Sequence, residues 1–204
     1  MSHPSGFARL ACAAGLMFAS LTAQAQGPVK EILKPSATPA AAPGQCSPLL
    51  QHTFGRLQDE KPQSLCQYAG RVVLVVNTAS FCGFTPQYKG LEALHARYAD
   101  KGLVVLGFPS NDFSQEKGSN KEIAEFCENT FGVKFPMFVK SSVRGPDANP
   151  LYRQLAAQSG RSPAWNFHKY LIGRDGRLVD NYTSMVAPDN PAFIRDVEKQ
   201  LAAK

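Results

Sequence analysis

From residue 46 onward the sequence predicts an α/β fold, with a central mixed sheet flanked by helices and a β-hairpin ahead of it. Three observations carry this. Two continuous apolar runs rich in β-branched residues, Arg71-Val-Val-Leu-Val-Val-Asn77 and Leu103-Val-Val-Leu-Gly-Phe108, suit strands buried on both faces. Segments with apolar residues at helical spacing follow each run. Near the C-terminus, Gly173-Arg-Asp-Gly176 separates two short apolar runs, a hairpin signal, and a last helical pattern follows. Strand and helix in alternation build a layered α/β domain.

The elements follow in order. Residues 1–25 read as a secretory signal peptide, with Arg9 as the positive region, an apolar Ala-rich stretch from Leu10 to Leu21, and small residues at Ala23 and Ala25 where a signal peptidase reads. The stretch is short for a membrane span and polar residues follow it. Cys12 precedes most of it, a poor position for a lipid anchor. Cleavage near Ala25, export to the periplasm or a similar compartment, and no membrane association afterwards are therefore expected. Residues 26–45 contain four prolines and no periodicity, the composition of a flexible linker. The globular domain spans 46–204.

Leu49 to Leu57 and Gln63 to Cys66 suggest a short hairpin. The first buried strand, Arg71–Asn77, is followed by helical spacing at Tyr88, Leu91, Leu94, His95 and Tyr98, ended by Gly102. After the second strand, Ser119-Asn-Lys-Glu122 has the pattern of a capping box and starts a helix through Thr130. Phe135 to Val139 reads as a third strand and Pro150 to Gln158 as a helix. Tyr170–Ile172 and Leu178–Tyr182 form the terminal hairpin, before a helix from Pro191 to Ala203. This order is similar to that of thioredoxin-like folds.

Composition narrows the function. With 44% hydrophobic residues the chain can build a core without staples. The formal charge of +6 becomes 6 − 1 = +5 when Arg9 leaves with the signal peptide. The basic residues are scattered, without the clustered stripe of a nucleic-acid-binding surface. His52, His95 and His168 have no mutual ligand spacing, and no Cys-His cluster accompanies them, so neither a metal site nor a cofactor is expected.

Five cysteines less Cys12 leave Cys46, Cys66, Cys82 and Cys127 in the domain, and four cysteines allow three pairings. Cys82 is placed for chemistry. It lies just past the carboxyl end of a buried strand, where open α/β sheets bind ligands. A helix start marked by Thr85 and Pro86 follows. The unpaired amides of a helix N-terminus favour an anion and so raise the thiolate fraction, and the thiolate is the nucleophile. Packing as a small inert hydrophobe is the alternative. No Cys stands two or three positions after Cys82, which argues against a Cys-x-x-Cys oxidoreductase and a Cys-x-x-x-Cys copper carrier.

Val76-Asn-Thr-Ala-Ser-Phe-Cys-Gly-Phe-Thr-Pro-Gln-Tyr88 resembles the nucleophile motif of the glutathione-peroxidase family. Leu106-Gly-Phe-Pro-Ser-Asn-Asp-Phe113 with Gln115-Glu-Lys-Gly118 resembles its second motif, and Trp165-Asn166-Phe167 with Lys169-Tyr-Leu-Ile172 its third. The likeness runs in register from about Leu49 to the C-terminus. It implies a thiol peroxidase whose Cys82 attacks hydrogen peroxide or an organic hydroperoxide and becomes a sulfenic acid. The Trp165 indole N–H and the Asn166 amide then serve the thiolate and the leaving oxygen. It also implies a thiol reductant, either a thioredoxin-like protein or glutathione.

Two departures matter. Where the family supplies a Gln amide after the Asn of its second motif, this chain has Asp112, and the following loop is one residue shorter. A carboxylate close to Cys82 would oppose its ionisation. Either Asp112 turns away, or it is protonated and donates, or Gln115 supplies the amide. Where many members have Cys, this chain has Ser110. Cys127 is then the expected resolving partner, as in thioredoxin-dependent members, although its place four residues after Ile123 also fits plain packing. The short segment from Gly160 to Trp165 lacks the extra loop of tetrameric relatives, so a monomer is expected. Cys46 and Cys66 bracket the N-terminal hairpin outside these motifs. A structural disulfide between them is expected, with two packed thiols as the alternative. A peroxide sensor or disulfide relay built on Cys82 and Cys127 is the competing reading to an enzyme.

Overall fold

The computed structural model describes residues 45–203. The expected signal peptide and residues 26–44 of the expected linker lie outside the described residues. The N-terminal hairpin is shorter than the sequence suggests. Strand β1 (Thr53–Gly55) pairs antiparallel with β2 (Pro62–Ser64), and 3-10 turns at Pro48–Leu50 and Leu65–Tyr68 flank the pair. Strand β3 (Val72–Thr78), helix α1 (Gln87–Tyr98), strand β4 (Leu103–Pro109), helix α2 (Asn120–Phe131), helix α3 (Pro150–Ser159), strands β5 (Lys169–Ile172) and β6 (Leu178–Tyr182), and helix α4 (Pro191–Ala202) complete the domain. Their boundaries lie close to those read from the pattern.

The main sheet has the order β4-β3-β5-β6. β3 runs parallel to β4 and antiparallel to β5, which pairs antiparallel with β6, so the sheet is mixed, in the thioredoxin-like arrangement. Every residue of β3 and β4 is buried because helices cover both faces. Period-two alternation divides the strands between two cores. Val72, Leu74 and Val76 face Tyr88, Leu91, Ile123, Phe193 and Val197 of α1, α2 and α4. Val73 and Val75 face Leu49, Leu50, Leu65, Leu151 and Leu155, from the N-terminal turns and α3. Each such side chain contributes about 1.5–3 kcal/mol on burial.

Segment 135–139 departs from the expected strand. It makes isolated bridges, Gly107 to Met137 and Arg56 to Phe138, and no continuous ladder. Pro136 has no N–H to contribute. The segment also divides its bonds between two neighbours: Phe138 N–H donates to Gly107 C=O, while Val139 N–H donates to Gly55 C=O and Met137 C=O accepts from Leu57. It thereby stitches β4 to the N-terminal hairpin. Gly107 permits the close approach, since a Cβ there would meet the sulfur of Met137.

Candidate active site

Cys82 lies in the loop between β3 and α1 and is 7% exposed. The loop is closed locally. Cys82 N–H donates to Thr85 Oγ1 at 3.0 Å, and that hydroxyl donates onward to Ala79 C=O at 2.9 Å. Phe84 N–H points at Cys82 Sγ, 3.4 Å away, a donor suited to a thiolate. Helix α1 begins five positions later, so the nearest amide belongs to the loop ahead of the helix.

The second motif lies against this loop. Phe81 N–H donates to Gln115 C=O at 2.9 Å. Glu116 is buried, and its Oε1 accepts from Ser80 N–H at 3.1 Å, the Ser80 hydroxyl at 2.5 Å and Lys117 N–H at 2.8 Å. Burial lifts this carboxyl above its usual range, while the Ser80 hydroxyl and the two amides pull it back. Asp112 is committed elsewhere: its Oδ2 accepts from Val143 N–H at 2.7 Å and Arg144 N–H at 3.1 Å. Gln115 stands with Asn166 instead, accepting from the Asn166 amide at 2.9 Å. With its oxygen occupied, Gln115 has its own NH2 available as a donor.

The third motif forms a tight turn. Asn166 and Phe167 are fully buried, Trp165 is half-exposed, and Phe167 has φ of 64°. Trp165 packs on Phe113, with ring centroids 5.2 Å apart. Asn77, at the end of β3, ties the turn down. Its amide donates to Trp165 C=O and its Oδ1 accepts from His168 N–H, both at 3.1 Å, while its backbone C=O accepts from Phe167 N–H. Lys169 is buried on β5, donating to Phe167 C=O at 2.8 Å and Gln87 Oε1 at 2.7 Å. Burial lowers its amine to about 7. Phe84, Ala164, Trp165, His168, Thr183, Ser184 and Met185 line a recess of about 270 Å³.

Cys127 lies on the inner face of α2 with Ile123, 3% exposed, while Phe126 is half-buried beside it. Burial pushes its thiol up to about 11, with Tyr88 pulling the other way and Glu116 adding to the rise. Cys82 and Cys127 are both free thiols, whereas Cys46 and Cys66 are joined by a disulfide with Cα atoms 5.0 Å apart.

The model of the family described as glutathione peroxidase matches residues 52–156. The glutathione peroxidase-like peroxiredoxin gpx1 of Schizosaccharomyces pombe is 46% identical over 149 residues, 71% of this chain and 93% of that one. The hydroperoxy fatty acid reductase gpx1 of Synechocystis is 47% identical over 154 residues, 70% of this chain and 90% of that one. The chain belongs to the glutathione peroxidase family. It is a thiol peroxidase, acting on peroxide with a thiol reductant. Among solved structures, the crystal structure of Trgpx in apo form is 35% identical and aligns with a TM-score of 0.59, covering 75% of this chain and 95% of that one.

Within this glutathione peroxidase framework Gln115 joins Asn166 through its side chain and the residue before Cys82 through its backbone, while the Asp112 carboxylate is taken up by Val143 and Arg144. Sequence reasoning missed Asn77, Glu116 and Lys169 as parts of the site. Each makes a hydrogen bond to a segment distant in sequence, Asn77 to the turn at 165–168, Glu116 to Ser80 and Lys169 to Gln87, so no spacing marks their roles. For Asn77 and Lys169 the available signal was a polar or charged residue at the end of an otherwise apolar strand; Glu116, in the loop after β4, carried none.

Proposed function

We propose that Cys82 is the peroxidatic residue of an exported, monomeric peroxidase that reduces hydrogen peroxide and organic hydroperoxides. The Cys82 thiolate attacks one peroxide oxygen and the O–O bond breaks. The leaving oxygen takes a proton and departs as water or alcohol, and Cys82 becomes a sulfenic acid. Gln115 and Asn166 supply amide donors and Trp165 an indole donor at the sulfur and the leaving oxygen. Cys127 then condenses with the sulfenic acid, releasing water, and an external dithiol protein or glutathione reduces the resulting disulfide.

The amide pair of Gln115 and Asn166, bonded to the loop that carries Cys82, is the observation that most supports this reading. The apolar recess beside Trp165 and Phe84 suits the hydrocarbon part of an organic hydroperoxide, and the fatty-acid relative points the same way. The signal-like residues 1–25 and the Cys46–Cys66 disulfide support export to an oxidising compartment. Among the described residues no helix is long and apolar enough to cross a membrane.

The test is a peroxidase assay of protein lacking residues 1–25, with glutathione, a thioredoxin and a periplasmic dithiol protein run in parallel. Cys82→Ser should abolish turnover with each reductant and leave the fold intact, because a hydroxyl does not cleave the O–O bond here. Wild-type turnover in Cys82→Ser would remove the assignment.

A further inference from the structure

The Lys117 ammonium lies 4.6 Å from the ring centroid of Phe81 and 5.2 Å from that of Phe126. Each ring belongs to the chain neighbour of a redox thiol: Phe81 precedes Cys82 and Phe126 precedes Cys127. Phe81 is a large aromatic at 62% exposure, so core packing does not explain its position. The backbone beneath Lys117 is fixed from both sides. Its N–H donates to the buried Glu116 Oε1, which also holds Ser80, and Lys140 Nζ donates to Lys117 C=O and Gly118 C=O. The side chain is therefore a post anchored between two segments that must move relative to one another when a disulfide forms.

We propose that Lys117 is a positioning residue for the resolving step: its cation clamps the Cys82 loop to α2 through Phe81 and Phe126 and sets how fast the sulfenic acid becomes a disulfide. The inference rests on Cys127 as the resolving residue. In that step the Cys127 sulfur attacks the Cys82 sulfenic sulfur. A Cys82–Cys127 S–S bond forms, the S–O bond breaks, and the hydroxyl leaves as water with the thiol proton, with no outside reductant. Phe126 adjoins Cys127 on α2, so an opening of the helix that brings Cys127 out of the core also draws Phe126 away from Lys117. The clamp thus prolongs the life of the sulfenic acid and exposes it to further oxidation when peroxide is abundant.

The experiment mixes protein lacking residues 1–25, with Cys82 and Cys127 reduced and the Cys46–Cys66 disulfide kept, with one equivalent of hydrogen peroxide. Sulfenic acid and disulfide are followed by quenched-flow alkylation and mass spectrometry. In Lys117→Met, which keeps length and removes charge, sulfenic acid formation should stay within about twofold of wild type. Disulfide formation should be about fivefold faster, the size expected from losing two exposed cation–π contacts. Lys117→Arg keeps the cation and should resolve at the wild-type rate. Phe126→Leu removes one ring and should give about a twofold acceleration. In excess peroxide the Met variant should accumulate less sulfinic acid. A Met variant that resolves at the wild-type rate, or an Arg variant as fast as Met, overturns the clamp while leaving Cys127 in its role. A slowed first step in the Met variant overturns it too, by placing Lys117 in peroxide binding. If the wild type forms no Cys82–Cys127 disulfide, the resolving reading falls and the clamp falls with it.

Discussion

Asn77 holds Trp165 and His168 through its side-chain amide, which carries a donor and an acceptor that a turn can use together, and Phe167 through its backbone C=O. Replacing it by alanine leaves Trp165 C=O and His168 N–H without those partners. Each buried group so orphaned costs about 1–3 kcal/mol. Asn77→Ala is expected to lower unfolding free energy by about 2–6 kcal/mol on that basis. It should also slow sulfenic acid formation at least tenfold, through displacement of Asn166. Urea titration and stopped-flow oxidation check the two effects, and an undiminished oxidation rate would show that the turn holds without Asn77. Lys169 makes a different residue-scale prediction. Burial sets its folded pKa at about 7, below the roughly 10.4 of an exposed lysine. Between those values the unfolded chain binds more protons, so the contribution of this group to stability rises as pH increases from about 7 to about 10 and is least below 7. The stability difference between wild type and Lys169→Met should move in favour of wild type across that window, measured by urea unfolding at several pH values. A flat difference would mean that the ammonium is not desolvated. Cys82 was legible in its role because a thiol in that motif has one evident chemistry. Asn77 and Lys169 stand in the motifs too, but their roles were not legible, because each reads as an ordinary residue of a strand until the turn at 165–168 is folded against it.

At the scale of elements, helix α2 carries the question of resolution. Both halves of its expected capping box form: Ser119 Oγ accepts from Glu122 N–H at 3.2 Å, and Glu122 Oε2 accepts from Ser119 N–H at 2.9 Å. Gly132 closes the other end at φ of 62°. A well-capped helix with its Cys turned inward keeps the resolving thiol buried and protonated until the helix opens. Ser119→Ala should cost about 1 kcal/mol of helix stability. It should raise hydrogen exchange of the amides around Cys127 and speed disulfide formation by a similar factor, and faster exchange without faster resolution would uncouple helix opening from the chemistry. In Cys127→Ser the first oxidation should stay fast, sulfenic acid should accumulate, and recycling by a protein dithiol should fail. Unchanged recycling with the same dithiol would return Cys127 to plain packing. The capping box was visible in four residues because capping is local. The strand expected at 135–139 failed for the opposite reason: its apolar composition fits a ladder, but Pro136 and the shared bonding with Gly55, Leu57 and Gly107 are tertiary facts.

At the scale of the molecule, the N-terminal segment carries little regular structure, with strands β1 and β2 of three residues each. It is held instead by Leu49, Leu50 and Leu65 in the core beneath α3, by the bonds from segment 135–139, and by the Cys46–Cys66 disulfide. The disulfide closes a loop with a sequence separation of 20. A crosslink of that span restricts the unfolded chain by about 3 kcal/mol. Removing it in a Cys46→Ser, Cys66→Ser double variant should therefore lower Tm by roughly 6–12 °C. Peroxide reduction well below the transition should be unaffected, because the bond lies in the N-terminal segment and not among the groups that meet peroxide. Calorimetry and a steady-state assay at low temperature test the two halves together. Mapping of protein recovered from the periplasm under non-reducing conditions tests the premise, which fails if both residues are recovered as alkylated thiols. An unchanged Tm would mean that the leucines and the 135–139 bonds hold the segment without the crosslink. A lost activity at full fold would mean that the hairpin reaches the Cys82 loop through β4 and segment 135–139.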